Sequence, residues 1–239
     1  MIYAVVILVT FLAVSINAVT GFGVGILSTM IFSFFMPAVS AIALANMLSV
    51  VVCGTLAGLH IKHIQWRLLV LPTLFSLAAG FLSIHFGAGL PETIIKRMLG
   101  AFLLLLSLYF GFFNDRIKIK ATLLNGAVMG ILFGVFNGLF NIGGPFMVIY
   151  YLICINNNSW YMATSQFHFL IVSIFMLILR FFYDQITGEC LKYFGVALIP
   201  ILLAAYFGTR LFKSMNEKII RKTIYLFMAV CGSYFLIAG

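Results

Sequence analysis

NAVTGFGVG, from Asn17 to Gly25, and NGLFNIGGP, from Asn137 to Pro145, stand 120 positions apart in a chain that is otherwise apolar. Each joins amides or a hydroxyl to glycines, a pattern that interrupts a helix. Irregular backbone at membrane depth persists only against protein or beside a cavity, so matched breaks in two halves point to a transport site. The match continues beyond the glycines. Asn46 faces Gln166 at the same offset, and the valines at 50–52 face Leu170, Ile171 and Val172. Later the offset drifts: Pro72 and Gly80 parallel Pro200 and Gly208, and PETIIKR (Pro91–Arg97) parallels NEKIIRK (Asn216–Lys222). Pro, Gly and a Glu followed by basic residues recur in one order, as an internal repeat requires.

Composition sets the solvent. Hydrophobic residues make up 64% of 239 and charged residues 8%, and the mean hydropathy is +1.20. This is the composition of an integral membrane protein, with room for about eight to ten helical segments and almost nothing for a soluble domain. The net charge of +9 lies in short loops between apolar runs, where membrane topology accounts for it, so nucleic acid is not an expected partner. Cys53, Cys154, Cys190 and Cys231 are scattered without CxxC spacing and read as packing residues, neither disulfides nor metal ligands. The first apolar run has no basic segment before it and no small-x-small site after it, and reads as an uncleaved first helix.

Apolar runs cover 2–19, 22–36, 38–59, 67–87 and 98–113, then 122–139, 142–155, 161–182, 193–213 and 223–239. The runs 22–36 and 142–155 reach only about 22 Å of a hydrocarbon core of about 30 Å, so each is half of a broken hairpin. The fold expected is an all-α polytopic membrane protein of two inverted repeats, each a broken-helix hairpin plus three transmembrane helices. Residues 1–113 form the first repeat, 114–120 a basic cytoplasmic linker, and 121–239 the second. Basic residues support inversion. Inverted halves put Lys62, Arg67, Arg116, Lys118, Lys120, Arg210, Lys213, Lys218, Arg221 and Lys222 on one side and Lys96, Arg97, Arg180 and Lys192 on the other. Parallel halves divide the same residues evenly. The positive-inside rule therefore favours inversion in a bacterial-type inner membrane, with both termini outside. Trp66 and Trp160 fall at expected membrane edges, as interfacial anchors do.

In that arrangement the hairpin tips meet near the midplane, each starting a short helix. A helix N-terminus presents unpaired N–H groups and about half a positive charge, which suits an anion in a dry setting. The expected substrate shell is Asn17, Thr20, Gly21, Phe22, Gly23 and Gly25 from the first tip. Asn137, Asn141, Gly143, Gly144 and Pro145 come from the second, and Asn46, Ser49, Ser165 and Gln166 from the helices that follow. The competing reading makes the glycines close-packing contacts and the amides interhelical glue; the pairing of the two segments favours the site. None of Glu92, Asp115, Asp184, Glu189 and Glu217 falls mid-span, so no carboxylate relay is expected. His168 is a candidate proton carrier, although a hydrogen-bonded structural histidine is the stronger reading. Arg180 is expected to snorkel to the interface, and His60, His63 and His85 to be interfacial. HExxH, GxSxG and GxxxxGK[ST] do not occur; no enzyme activity, cofactor or metal is expected.

TGFGVG, an Ala-rich helix, a basic turn with Gln65, Trp66 and Arg67, and FNIGGPF in the second half together resemble the sulfite exporter TauE/SafE family over nearly the whole chain. The resemblance places the family's Gly-rich breaks on Gly21, Gly23 and Gly25 and on Gly143, Gly144 and Pro145. Its acid-Trp-Arg turn falls on Gln65, Trp66 and Arg67. Gln65 replaces the common acid, and Val24 interrupts the first glycine run. The resemblance implies a secondary transporter that exports a small sulfur-containing oxyanion, such as sulfite or an organosulfonate, by alternating access. An anion channel and a non-transporting membrane assembly protein are the alternatives. The partners expected are the anion and the lipid bilayer; homo-oligomerisation stays open.

Overall fold

In a computed structural model of the chain, residues 2–59, 61–112, 121–204 and 217–238 are described, and among them every regular element is helical. The helices are α1 (Ile2–Thr20), α2 (Val24–Phe32), α3 (Ala38–Leu59), α4 (Trp66–Gly87) and α5 (Glu92–Phe112). Then come α6 (Leu123–Phe140), α7 (Gly144–Cys154), α8 (Asn158–Phe182), α9 (Gly188–Leu203) and α10 (Glu217–Ala238). The linker 114–120, His60, Gly208, Arg210, Lys213 and Asn216 lie outside the described residues, as do the side chains of Lys218 and Arg221. Five helices, α3 to α6 and α8, are long and apolar enough to cross a membrane. Their exposed side chains include Leu74, Leu105, Leu124 and Ile178, a surface matched to hydrocarbon. The chain is an integral membrane protein.

The repeat is visible in the helix boundaries. α1 and α6 end at residues 20 and 140, α2 and α7 begin at 24 and 144, and α3 and α8 begin at 38 and 158. The offset of 120 thus holds through the broken hairpin and into the next helix. α5 and α10 both start at the glutamate of the second matched motif, Glu92 and Glu217. Pro72 and Pro200 both lie inside helices, near the start of α4 and near the end of α9. Local chemistry sets several starts: Thr122, Asn157 and Thr187 accept first-turn N–H bonds as N-caps of α6, α8 and α9. α5 and α8 begin before their apolar runs, because residues such as Glu92, Thr93 and Asn158 make good first turns outside the hydrocarbon.

The breaks between α1 and α2 and between α6 and α7 open on one geometry and part at their third residue, where Gly23 has φ 132° and Gly143 φ −87°. Gly21 and Asn141, matched positions, are both left-handed, at φ 80° and 58°. The Gly21 N–H donates to the Asn17 carbonyl at 2.8 Å and the Asn141 N–H to the Asn137 carbonyl at 2.9 Å. Glycine and asparagine are the residues that enter this region at least cost.

Packing pairs the halves. α1 lies on α9, α4 on α6, α3 on α8 and α5 on α10. α3 and α8 run antiparallel: α3 starts and α8 ends near one cavity, while Thr164 at the start of α8 accepts from the Gln65 N–H beyond the far end of α3. α5 and α10 are antiparallel too, with Gly100 on Gly232 and Ser107 Oγ donating to the Tyr225 carbonyl at 2.8 Å. α4 and α6 approach through small residues. A Cβ on Gly130 would reach the Pro72 carbonyl, one on Gly138 would reach Gly80 and Ser83, and Ser76 Oγ donates to the Gly130 carbonyl at 2.9 Å. This is close packing of the kind small residues permit in membranes. It holds α6, and with it the second break, against α4.

Candidate functional site

The two breaks meet. A Cβ on Gly25 would overlap the Asn141 carbonyl, and one on Gly144 would lie 3.2 Å from Phe22 Cβ. Thr29 Oγ1 of α2 donates to the Phe140 carbonyl of the opposite tip at 3.0 Å. Between the tips and the middles of α3 and α8 is a cavity of about 30 Å³.

Its lining follows the repeat. Asn17 and Asn137, Phe22 and Ile142, Val24 and Gly144, Ser49 and Phe169, and Cys53 and Ser173 all line it, each pair separated by 120 positions. Asn17 and Asn137 are 1% and 5% exposed, and neither amide nitrogen has a hydrogen-bond partner. Two buried, unpaired N–H2 groups at matched positions on one cavity are an uncommon cost for a protein to retain. Val24, Gly25 and Ile26 of the first turn of α2 and Gly144 of α7 add helix N-termini to the same space. First-turn N–H groups have no partner within their own helix. The cavity therefore collects hydrogen-bond donors and positive helix ends, and its lining contains no ionisable acid or base beyond the Cys53 thiol. Chemically it suits a small anion or a strong hydrogen-bond acceptor.

Of the residues expected to form the shell, Asn17, Phe22, Gly23, Gly25, Ser49, Asn137, Asn141 and Gly144 line the cavity. The others support it. Thr20 Oγ1 folds back on the Ile16 and Phe22 carbonyls at 2.9 and 2.5 Å. The Gly21 carbonyl accepts from Gln166 Nε2 at 2.7 Å, and Asn46 Nδ2 donates to the Ser173 carbonyl at 3.2 Å. Gly143 packs on Phe133 and Asn137, Pro145 is buried in α7, and Ser165 Oγ bonds to the Met162 carbonyl at 3.3 Å. Val24, Ile26, Phe133, Ile142, Phe169, Cys53 and Ser173 are the lining residues that sequence reasoning left out. Carrying the 120 offset one turn further along α3 and α8 reaches the last two.

His168 is fully buried and lies off the cavity. Its Nδ1 pairs with Thr73 Oγ1 at 2.8 Å, its Nε2 with Ser76 Oγ at 3.5 Å, and its ring meets Phe133 edge-on at a centroid distance of 4.7 Å. These are the contacts of a structural histidine that joins α8 to α4. Cys53, Cys154, Cys190 and Cys231 are all free thiols. His63 and His85 are exposed, and His85 Nδ1 pairs with Tyr183 Oη at 2.6 Å. Trp66 and Trp160 are exposed at the first residues of α4 and near the start of α8.

Arg180 is not where snorkelling would put it. It is 2% exposed, and its guanidinium donates to the Gly138 carbonyl at 2.5 Å and to Gln185 Oε1 at 2.7 Å. The inward turn has a cause: Gly138 lacks the Cβ that would crowd Gly80 and Ser83, and the carbonyl this leaves reachable near the end of α6 attracts a cation.

The profile of the sulfite exporter TauE/SafE family matches residues 6–235, which takes in both tips, both matched amides and Arg180. No curated protein and no solved structure shows a significant match to the chain. A match over almost the whole length, in a polytopic helical protein whose two Gly-rich breaks meet at a buried cavity, shows that the chain belongs to the TauE/SafE sulfite exporter family.

Proposed function

We propose that the chain is a secondary transporter that exports a small oxyanion, sulfur-containing as in the family's name, through alternating exposure of the cavity between the two hairpin tips. The observation that carries the reading is the pair of buried, unpaired amide nitrogens of Asn17 and Asn137 on that cavity. With the first turns of α2 and α7 they supply neutral donors for oxyanion oxygens. The cavity, at about 30 Å³, exceeds the about 10–15 Å³ that admits a water but holds no more than a few. An oxyanion of four or more heavy atoms needs the tips to part. The antiparallel pairing of α3 with α8 and of α5 with α10 supports inverted halves, which exchange roles when one bundle rocks on the other. With the richer set of basic residues inside, both termini lie outside in a bacterial-type inner membrane. Export then needs no intramembrane acid. An inside-negative potential favours outward movement of each negative charge by about 2.3 kcal/mol per 100 mV.

Proteoliposome flux with sulfite, sulfoacetate, sulfate and thiosulfate, under imposed potential and pH gradients, tests substrate and coupling together. Saturable export of at least one of these anions, lost in the Asn17→Ala/Asn137→Ala double variant, is the expected result. Full flux in the double variant would reject the cavity as the site. Unsaturable conductance would make the protein a channel, and absence of anion movement in the wild type would remove the transport reading.

A further inference from the structure

Arg180 faces a second cavity, of about 20 Å³, between the ends of α4, α6 and α8 and the starts of α3 and α5. Three observations meet there. The guanidinium is buried, its Nε has no hydrogen-bond partner, and no acidic residue lines the cavity. An ion pair lies elsewhere, between Glu92 and Lys96 at 2.8 Å. The Gly138 carbonyl and the Gln185 amide oxygen satisfy two N–H groups. Being neutral, they leave the charge uncompensated. A full positive charge removed from water with only dipoles around it is costly, and proteins keep such groups inside membranes where an anion or a transport path offsets the cost.

The position adds a direction. Arg180 holds the carbonyl of Gly138, the residue that follows Asn137, so guanidinium and central amide sit on neighbouring residues of α6. The cavity also reaches Leu90 and Gln185, in the turns that follow α4 and α8.

We propose that Arg180, with Gln185 and Ser83, forms a second oxyanion site between the central cavity and the membrane face where α4 and α8 end. Its guanidinium Nε–H and the outer N–H groups of the nitrogens bound to Gly138 and Gln185 bind the oxygens once this cavity, like the central one, widens to admit them, and Ser83 is part of its lining. Its place on the export path rests on the transport reading above; its affinity for an anion does not.

Equilibrium binding of radiolabelled sulfite to the purified full-length chain, with sulfate as a second probe, tests the two sites separately. The wild type is expected to bind two anions. Arg180→Gln, which keeps an amide donor for the Gly138 carbonyl, is expected to bind one and to raise the KM for export more than tenfold. Asn17→Ala/Asn137→Ala is expected to keep the Arg180 site. Arg180→Lys, which keeps the charge without the planar fork, should weaken that site about tenfold while its melting temperature stays near that of the wild type. One bound anion in the wild type with no change on Arg180→Gln or Arg180→Lys would overturn the second site and leave the central one standing. Loss of all binding in Arg180→Gln, with binding intact in the double asparagine variant, would reject the central site and keep this one. Collapse of the folded protein in both Arg180 variants would make the residue structural and end the proposal.

Discussion

The tip between α1 and α2 and the tip between α6 and α7 enter their turns through the same backbone, at Gly21 and Asn141, leave them differently, at Gly23 (φ 132°) and Gly143 (φ −87°), and are held by different side chains. Both have a left-handed residue at matched positions, Gly21 and Asn141, and both close an N–H bond to an asparagine carbonyl four residues earlier. The first tip is fastened by the long amide of Gln166, which donates to the Gly21 carbonyl across the bundle. The second is fastened by its own side chain, Asn141 Nδ2 donating to Ser49 Oγ at 3.1 Å, while its carbonyl abuts Gly25. Repetition has preserved the left-handed entry to the turn and the cavity donors, Asn17 and Asn137, and has let the exit from the turn and the anchors diverge. Whatever needs two-fold equivalence therefore resides in backbone and amides, and the anchors decide how readily each tip moves.

The most severe way to break this equivalence is Gly25→Leu. Its Cβ would overlap the Asn141 carbonyl, whereas the Gly144→Ala methyl would meet Phe22 Cβ at a tight 3.2 Å, which Phe22 relieves by giving a few tenths of an ångström. Flux in proteoliposomes should vanish for Gly25→Leu and persist for Gly144→Ala; equal tolerance would mean that the tips do not interlock as described. Next in size is the exchange of the two left-handed residues. Gly21→Ala carries about 1–2 kcal/mol of left-handed strain, and its methyl also runs into Tyr161 Oη at 2.5 Å. Asn141→Gly relaxes the backbone and loses one hydrogen bond. A thermal melt should fall clearly for the first and shift little for the second.

A smaller effect probes the shared amides. Asn17→Ala and Asn137→Ala should each raise the anion KM about tenfold, the worth of one hydrogen bond to a charged acceptor. A large difference between the two single variants would show that one half alone binds. The mildest comparison concerns the anchors. Gln166→Leu strands the buried Gly21 carbonyl and Ser49→Ala the buried Asn141 Nδ2, each at a cost of about 1–3 kcal/mol. Stability from denaturant melts should fall by a similar amount in the two variants; a fall in one alone would show that the tips are not both held in this way.

Much of the candidate site was legible because a break in a hydrophobic helix is a local event. Gly21, Gly23 and Asn141 declare themselves through residue type and offset, and Asn17 and Asn137 lie one turn before them. Asn46, Gln166 and Ser165 were equally visible, yet none lines the cavity: Gln166 holds the first tip, Asn46 ties α3 to α8 and Ser165 bonds within α8, since a helix position does not say which neighbour its side chain meets. Arg180 illustrates the other limit. Near the end of an apolar run, a long cationic side chain can turn either way, and what decided its direction was a carbonyl 42 residues earlier. Ser173 and Cys53 lacked a local signal and were reachable only by extending the repeat.

By itself the sequence determined the solvent, the helical class, the places where two helices break and the repetition that relates them. These depend on hydropathy, on glycine or asparagine at a left-handed position, and on an offset of 120. The tertiary structure alone decided that the two breaks touch, that Asn17 and Asn137 share one cavity with their amide nitrogens unpaired, and that Arg180 points inward. Those outcomes arise from packing between helices far apart in the chain, where one missing Cβ or one reachable carbonyl sets which groups meet.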